Sequence, residues 1–220
     1  MTLKITAYLH SGFASKFPWS PSLDGILAYV ERMRALGPDE FALTQLDLAL
    51  QTPNTALPLE MERHGDDWWY LCSSPIYREF STQTKHLHRR FNAAEAEEYW
   101  DRPRKIETTK GPYKNARFQV RHHITGLVCW HADGDRVALA DMLRDVTHIG
   151  AKMGAGFGRV RRWDITDDGD PQLARLHRPL PRAYADAHGV TGVVMRWGYR
   201  PPIRHPENLT DCVIPHARSQ

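Results

Sequence analysis

The sequence predicts an α+β chain in which helices cover one face of an antiparallel sheet, and three observations predict it. Apolar and polar residues alternate from Leu3 to Leu9. Two stretches carry apolar residues at helical spacing: Ile26, Leu27, Val30 and Met33 in one, and Val137, Leu139, Met142, Leu143 and Val146 in the other. Short apolar runs separated by turn residues fill the chain between them. The expected order is strand, helix, hairpin, strand, helix, strand.

Each element has its own signal. Leu3, Ile5, Ala7 and Leu9, alternating with Lys4, Thr6, Tyr8 and His10, set one face of a first strand on a core. Pro18, Trp19 and Pro21 resist regular structure across 13–22. Asp24 is then placed to cap the first helix, and Gly37-Pro38 to stop it. Residues 57–63 and 68–72 read as a hairpin about His64-Gly65-Asp66-Asp67, closed by Ser73-Ser74-Pro75. Beyond it, 82–90 is polar and basic, 93–100 is acidic and helical in pattern, and 102–114 has little apolar content. Residues 76–116 therefore read as an inserted basic elaboration projecting from the core. A long strand over 118–130 breaks at Gly126, and Asp133-Gly134-Asp135 turns the chain into the second helix. A glycine-rich segment follows, then a strand over 160–165. From Asp167 to residue 220 the chain is proline-rich and reads as irregular, with 192–199 its clearest strand. The order suits a single domain over 1–220, built of one or two ferredoxin-like (RRM-like) units.

Composition narrows the class. With 220 residues and 41% hydrophobic content the chain can bury a core. A formal charge of +3 does not by itself establish a polyanionic partner, so the distribution of charge must decide. Cys72, Cys129 and Cys212 each sit in an apolar run without the close pairing of a zinc or redox motif, and are read as buried free thiols. The first ten residues alternate rather than form a signal-peptide core. No apolar run approaches the roughly 20 residues that cross a bilayer. A cytoplasmic protein with no membrane association is expected.

The segment Gly150-Ala151-Lys152-Met153-Gly154-Ala155-Gly156-Phe157-Gly158 leaves a helix and enters a strand. Phosphate loops and dinucleotide fingerprints run the other way, and the Gly-Lys-Ser/Thr ending is absent. Glycines at this density cost backbone entropy, which positive φ angles or the close passage of another backbone would offset. Gly150 alone would serve as a helix C-cap, leaving Gly154, Gly156 and Gly158 to be explained. Lys152, Arg159, Arg161 and Arg162 flank them, so exposed amides and cations occur together where a phosphodiester chain could lie. Phe157 and Trp163 could stack on bases, although core packing is the stronger expectation for each.

Charge is partitioned in the same sense. Lys85, His86, His88, Arg89 and Arg90 form one basic cluster. Arg102, Arg104, Lys105, Lys110, Lys114, Arg117 and Arg121 form another that faces a single acid, Glu107. With the arginines after the glycines, these clusters predict one polyanion-binding surface. His122 and His123, as strand neighbours, point to opposite faces and make poor joint metal ligands. Together with His86 and His88 they are candidates for RNA contact. A lone histidine could also deprotonate a 2′-hydroxyl without metal. No catalytic set, metal site or cofactor is expected.

A helix leading through a glycine-rich loop into a basic strand, within ferredoxin-like units, resembles the repeat-associated RNA-binding (RAMP) superfamily of CRISPR systems. Leu23-Asp24-Gly25-Ile26-Leu27-Ala28-Tyr29, Cys72-Ser73-Ser74-Pro75 and the run from Ile149 to Val160 together look like the Cas-five-like subunit of type IV effector complexes, over roughly residues 1–165. The resemblance implies a noncatalytic subunit that holds the 5′ handle of the CRISPR RNA, caps a filament of Cas-seven-like subunits and meets the large subunit. A DinG-type helicase is a further partner in some such systems. It also implies that 76–116 is a thumb-like insertion contacting RNA and the first filament subunit. Relatives of this fold that cut RNA without metal supply the competing expectation, an endoribonuclease that processes CRISPR RNA.

Overall fold

The computed structural model describes residues 1–37, 39–40, 56–92, 107–111 and 113–216. The central strand is β1 (Thr2–Leu9), whose alternation is realised: Leu3, Ile5, Ala7 and Leu9 are all buried on one face. A two-residue strand β2 (Phe13–Ala14) follows, then helix α1 (Leu23–Leu36). α1 turns Leu23, Leu27 and Val30 into the same core. Its N-cap is Ser22, not Asp24. Ser22 has extended backbone angles and its hydroxyl accepts the Gly25 N–H at 3.3 Å. Gly37 ends the helix with φ 78°, donating its N–H to the Met33 carbonyl, as the Gly-Pro signal predicted.

The hairpin β3 (Met61–His64) and β4 (Asp67–Tyr70) turns at Gly65, φ 61°. The chain then runs alongside β7 (Leu127–Asp133) as an irregular edge. Ile76 and Cys129 exchange both backbone hydrogen bonds at 2.9 Å, and the Ser73 N–H reaches the His131 carbonyl at 2.8 Å. β1 pairs antiparallel with β7 on one side and with β8 (Val160–Thr166) on the other. The resulting order is 71–76, β7, β1, β8, with every described neighbour antiparallel. Helix α2 (Arg136–Leu143) joins β7 to β8 and lies beside α1, where Arg34 binds Asp141 and Asp145 at 2.8 and 2.6 Å. Two helices on one face of an antiparallel sheet are what the sequence order predicts, and the arrangement is consistent with a ferredoxin-like unit. Val137 departs from the expected helix face: it is 78% exposed, in the first turn beyond the Asp135 cap.

Between the hairpin and β7, β5 (Ser81–Arg89) and β6 (Ala116–Ile124) pair over their full length into a mostly exposed ribbon. The long strand expected over 118–130 is thus two strands serving two sheets. They separate at Thr125 and Gly126, whose carbonyl accepts the Leu9 N–H at 2.8 Å. The acidic run 93–100 lies outside the described residues.

Regular structure continues beyond Asp167, in contrast to the irregular segment expected there. Helix α3 (Pro171–Leu176), capped by Asp170, packs on β7. It is followed by β9 (Leu180–Pro181), helix α4 (Arg182–Ala187), β10 (Gly192–Gly198) and β11 (Leu209–Pro215), with sheet order β10, β11, β9. These elements close a second core around Leu180, Tyr184, Cys212 and Ile214, which also takes Trp69 from β4. At the junction of the two cores Arg178, 4% exposed, donates to Asp24 at 2.9 Å and to the backbone carbonyls of Tyr70, Cys72 and Tyr199. The residues of the first helix and of the Cys-Ser-Ser-Pro stretch therefore meet at one buried guanidinium. All three cysteines are free and buried, and burial pushes the Cys72 and Cys212 thiols up to about 12.

Candidate nucleic-acid interface

α2 ends at Leu143, so Gly150 is not its C-cap. Residues 144–149 bring the chain back to the sheet instead, and Gly150 forms a parallel bridge with Ala14 of β2. A Cβ on Gly150 would lie 2.5 Å from the Ala14 carbonyl oxygen, and one on Gly158 would lie 1.8 Å from that of Ile149. Both glycines also have positive φ. The close backbone passage inferred from the sequence is, at these two positions, made by the chain itself. The Ala151 N–H donates to Ala14 at 2.7 Å and the Gly158 N–H to Gly12 at 3.1 Å, which fixes the loop at both ends.

Between those anchors Met153–Ala155 form one 3-10 turn, closed by Gly156 at φ 84°. Gly154 differs from its neighbours. Its φ is not positive and an added Cβ meets no atom within 4 Å. Among the described residues nothing requires a glycine there. Lys152 is the opposite case, the only non-glycine with positive φ among the described residues, at 59°. For a lysine that conformation is uncommon, and strain of this kind concentrates where a loop has work other than folding.

The loop sits against the basic ribbon. The Lys152 ammonium lies 5.3 Å from the ring centroid of Phe118 on β6, and Phe157 meets His122 edge-on at 5.0 Å. Register places Lys85, Leu87 and Arg89 opposite Val120, Phe118 and Ala116, so these residues share with His122 the ribbon face that the loop abuts. Thr84, His86 and His88 oppose Arg121, Gln119 and Arg117 and share the other face with His123. Two basic clusters separated in sequence are thereby merged across one strand pair. Arg89 is partly spent on the fold, since its guanidinium donates to the Lys114 carbonyl at 2.9 Å and holds the ribbon's far end together. Lys85, His86, His88, Arg90, Arg117 and Arg121 are exposed. Lys110 lies near the far end, 3.9 Å from Glu107, and Lys105 is outside the described residues.

The two histidines point to opposite faces, as strand neighbours must, and both are buried. His123 has Nδ1 2.7 Å from Glu79 Oε1 and Nε2 3.3 Å from the Ser15 carbonyl, and stacks on Phe13. Burial alone would raise Glu79, but hydrogen bonds from Thr82 and His123 outweigh it and leave that carboxyl below its ordinary range. His122 has no hydrogen bond of normal geometry at either ring nitrogen. Burial, then the nearby Lys85 charge, lowers its pKa in spite of the opposing influence of the Ser11 backbone. An imidazole held neutral beside a cationic ribbon can donate from one nitrogen and accept at the other.

The arginines after the loop are split. Arg159 is exposed beside the loop and bridges His148. Arg162 pairs with Tyr8 on the face away from the helices, its guanidinium 3.7 Å from the centroid of that ring. The register shift at Tyr8 and Leu9 leaves Arg161 exposed and out of the ladder. Trp163 turns into the core and donates to the Val146 carbonyl at 3.0 Å, the expected outcome for that residue. The loop, His122, Phe157, Lys85 and Arg159 are thus near one another, while Arg162 serves a different face. Phe118 was not singled out from sequence, although it is 40% exposed and carries the lysine of the loop. Its parity with Val120 and His122 was the available signal.

Among the described residues no group of three possible metal ligands converges. No described helix is long and apolar enough to cross a membrane. No curated protein matches the chain. The family model described as CRISPR type IV associated protein Csf3 matches residues 1–215, and the chain therefore belongs to that family, the Cas-five-like subunit of type IV CRISPR systems.

Proposed function

We propose that this subunit is a noncatalytic, cytoplasmic RNA-binding protein of RAMP fold that holds the 5′ handle of the CRISPR RNA in a type IV ribonucleoprotein. In that role it caps the Cas-seven-like filament and meets the large subunit. One observation carries the reading: a loop with an unconstrained glycine and a left-handed lysine is braced against the face of an exposed basic ribbon. Backbone amides and cations in one place suit phosphate oxygens, which position a strand without reading its sequence. Phe118 and Phe157 supply flat apolar surface beside them, and stacking of that kind is tolerant of sequence. The choice of the handle as the bound segment rests on the resemblance to Cas-five-like subunits and not on the loop.

The test is binding of handle RNA against an unrelated RNA of equal length, by the chain alone and in the assembled complex. Handle RNA should bind more tightly, and log affinity should fall with log salt at about 0.7 per phosphate contacted. Equal affinity for both RNAs in both settings would sink the proposal. Repeat RNA incubated in chelator should stay intact. A product that vanishes on His122→Ala would instead establish an endoribonuclease. Unchanged RNA protection by a Lys152→Ala, Arg159→Ala double variant in the complex would leave a purely structural subunit.

A further inference from the structure

Residues of α1, residues 145–154 and residues 201–204 line a groove of about 700 Å³. That size lies within the range of about 300–1,000 Å³ typical of small-molecule sites. Tyr29, Met33 and Met153 give it apolar walls, and Tyr29 as a residue is 40% exposed. Arg32, His148 and Arg204 stand on its lining, and the one acid among the described residues there, Asp145, is already bound to Arg34 at 2.6 Å. Nε of Arg32 is buried without a hydrogen-bond partner. Gly154, which the fold does not require to be glycine, lines the same groove.

We infer that this groove receives an unstacked nucleobase from the RNA whose backbone crosses the glycine loop. The inference rests on the RNA-binding reading given above and adds a site that the reading does not need. A base has apolar faces and a hydrogen-bonding edge, and single-stranded RNA is commonly held by splaying a base onto an aromatic ring or a guanidinium plane. Tyr29 and the methionines match the faces. Arg32 and Arg204 match the edge and favour a strand that brings phosphates with it. An apolar protein segment is a poorer occupant, because it would cover two arginines without offering either a counter-charge or an acceptor. The missing side chain at Gly154 leaves the passage from loop to groove open.

The experiment uses the full chain and RNA of the repeat sequence carrying 2-aminopurine at one position at a time, with a matching series of single abasic positions. One position, or two adjacent ones, should change emission on binding. An abasic site at the same place should weaken binding by about 10-fold, the scale of one lost base–aromatic stack. Gly154→Leu, which adds a side chain in open space, should abolish the emission change, and Tyr29→Ala should do the same. Thermal melting of both variants at the parent temperature establishes that they are folded. RNA that binds with no responsive position, or with the same pattern in both variants, overturns the groove site while leaving RNA binding in place. Failure of the parent chain to bind any RNA overturns the earlier reading instead. Loss of Cas-seven-like subunits from the Tyr29→Ala complex, with the RNA response intact, makes the groove a protein contact and also overturns the inference.

Discussion

The junction at Arg178 and the ribbon with its glycine loop both carry unusual residues, and they use them in opposite ways. At the junction one guanidinium is buried, paired with Asp24 and shared among three backbone carbonyls. On the ribbon, cations stand in solvent on both faces with few partners. A buried charge must be answered by the fold, whereas an exposed one is free to answer a ligand. Two of the sequence signatures, Asp24 and Cys72, thus belong to stability. Lys152, Lys85 and Arg121 remain for function.

The largest expected effect tests the first half of that contrast. Asp24→Ala leaves Arg178 charged and unpaired between two cores and should cost about 3–5 kcal/mol. A falling urea midpoint reads it. The double variant Asp24→Ala, Arg178→Met should recover part of the loss, because both charges are gone. A single variant as stable as the parent would remove the junction from the list of structural determinants.

The glycine loop repeats the contrast on a smaller scale. Gly158→Ala forces a side chain to within 1.8 Å of the Ile149 carbonyl at positive φ, and should cost at least about 1–3 kcal/mol and displace the loop. Gly154→Ala meets nothing and should change stability by no more than about 0.5 kcal/mol. Equal losses in the two variants would erase the distinction between a glycine the fold needs and one it does not.

How much of this was legible from sequence follows the same division. β1 was readable because its period of two is tied to one buried face, and the β3–β4 hairpin because His64-Gly65-Asp66-Asp67 carries a turn signal. The ribbon was readable only as a basic elaboration. All but one position of β5 are exposed, so no apolar alternation marks it as a strand. Of the C-terminal sheet, β10 was readable as the strand expected over 192–199, and the rest was hidden for another reason: its core borrows Trp69 from β4, and short segments such as Leu180–Pro181 complete themselves only against distant partners. α1 begins at Leu23, so its cap is Ser22; Asp24 lies inside the first turn and pairs with Arg178, a contact between residues far apart in sequence. In the glycine segment, sequence gave the location and the need for close backbone approach. It could not assign that approach at Gly150 and Gly158 to the chain's own strands.

On the ribbon the effects should appear in binding and not in stability. Lys85→Ala and Arg121→Ala replace exposed side chains and should each shift folding stability by less than about 0.5 kcal/mol. Each that contacts a phosphate should lower the salt slope of RNA binding by about 0.7. Lys85 shares the loop's face and Arg121 the opposite one, so the pair locates the RNA. A change in slope with Lys85 alone places the strand along the loop face. A change with Arg121 alone moves it to the other side and breaks the link between ribbon and glycine loop.

The smallest effect concerns the histidines, which stand between the two regimes. Burial lowers the pKa of His122, with Lys85 adding to it, and burial also lowers that of His131, which accepts the Asp170 N–H at 2.8 Å. Their protons are held more tightly in the unfolded chain than in the folded one. Stability is therefore constant above the ordinary histidine range and declines as pH falls below about 6.5, until the folded-state values are passed. His122→Phe should flatten part of that decline, measured as urea midpoints across pH 5–8, because the ring remains to pack on Phe157 while the titrating nitrogens are gone. Lys85→Ala should flatten it less, since burial is the larger cause. If Lys85→Ala flattens it as much as His122→Phe, the ribbon charge governs His122, and the histidine belongs electrostatically to the ribbon and not to the core beneath it.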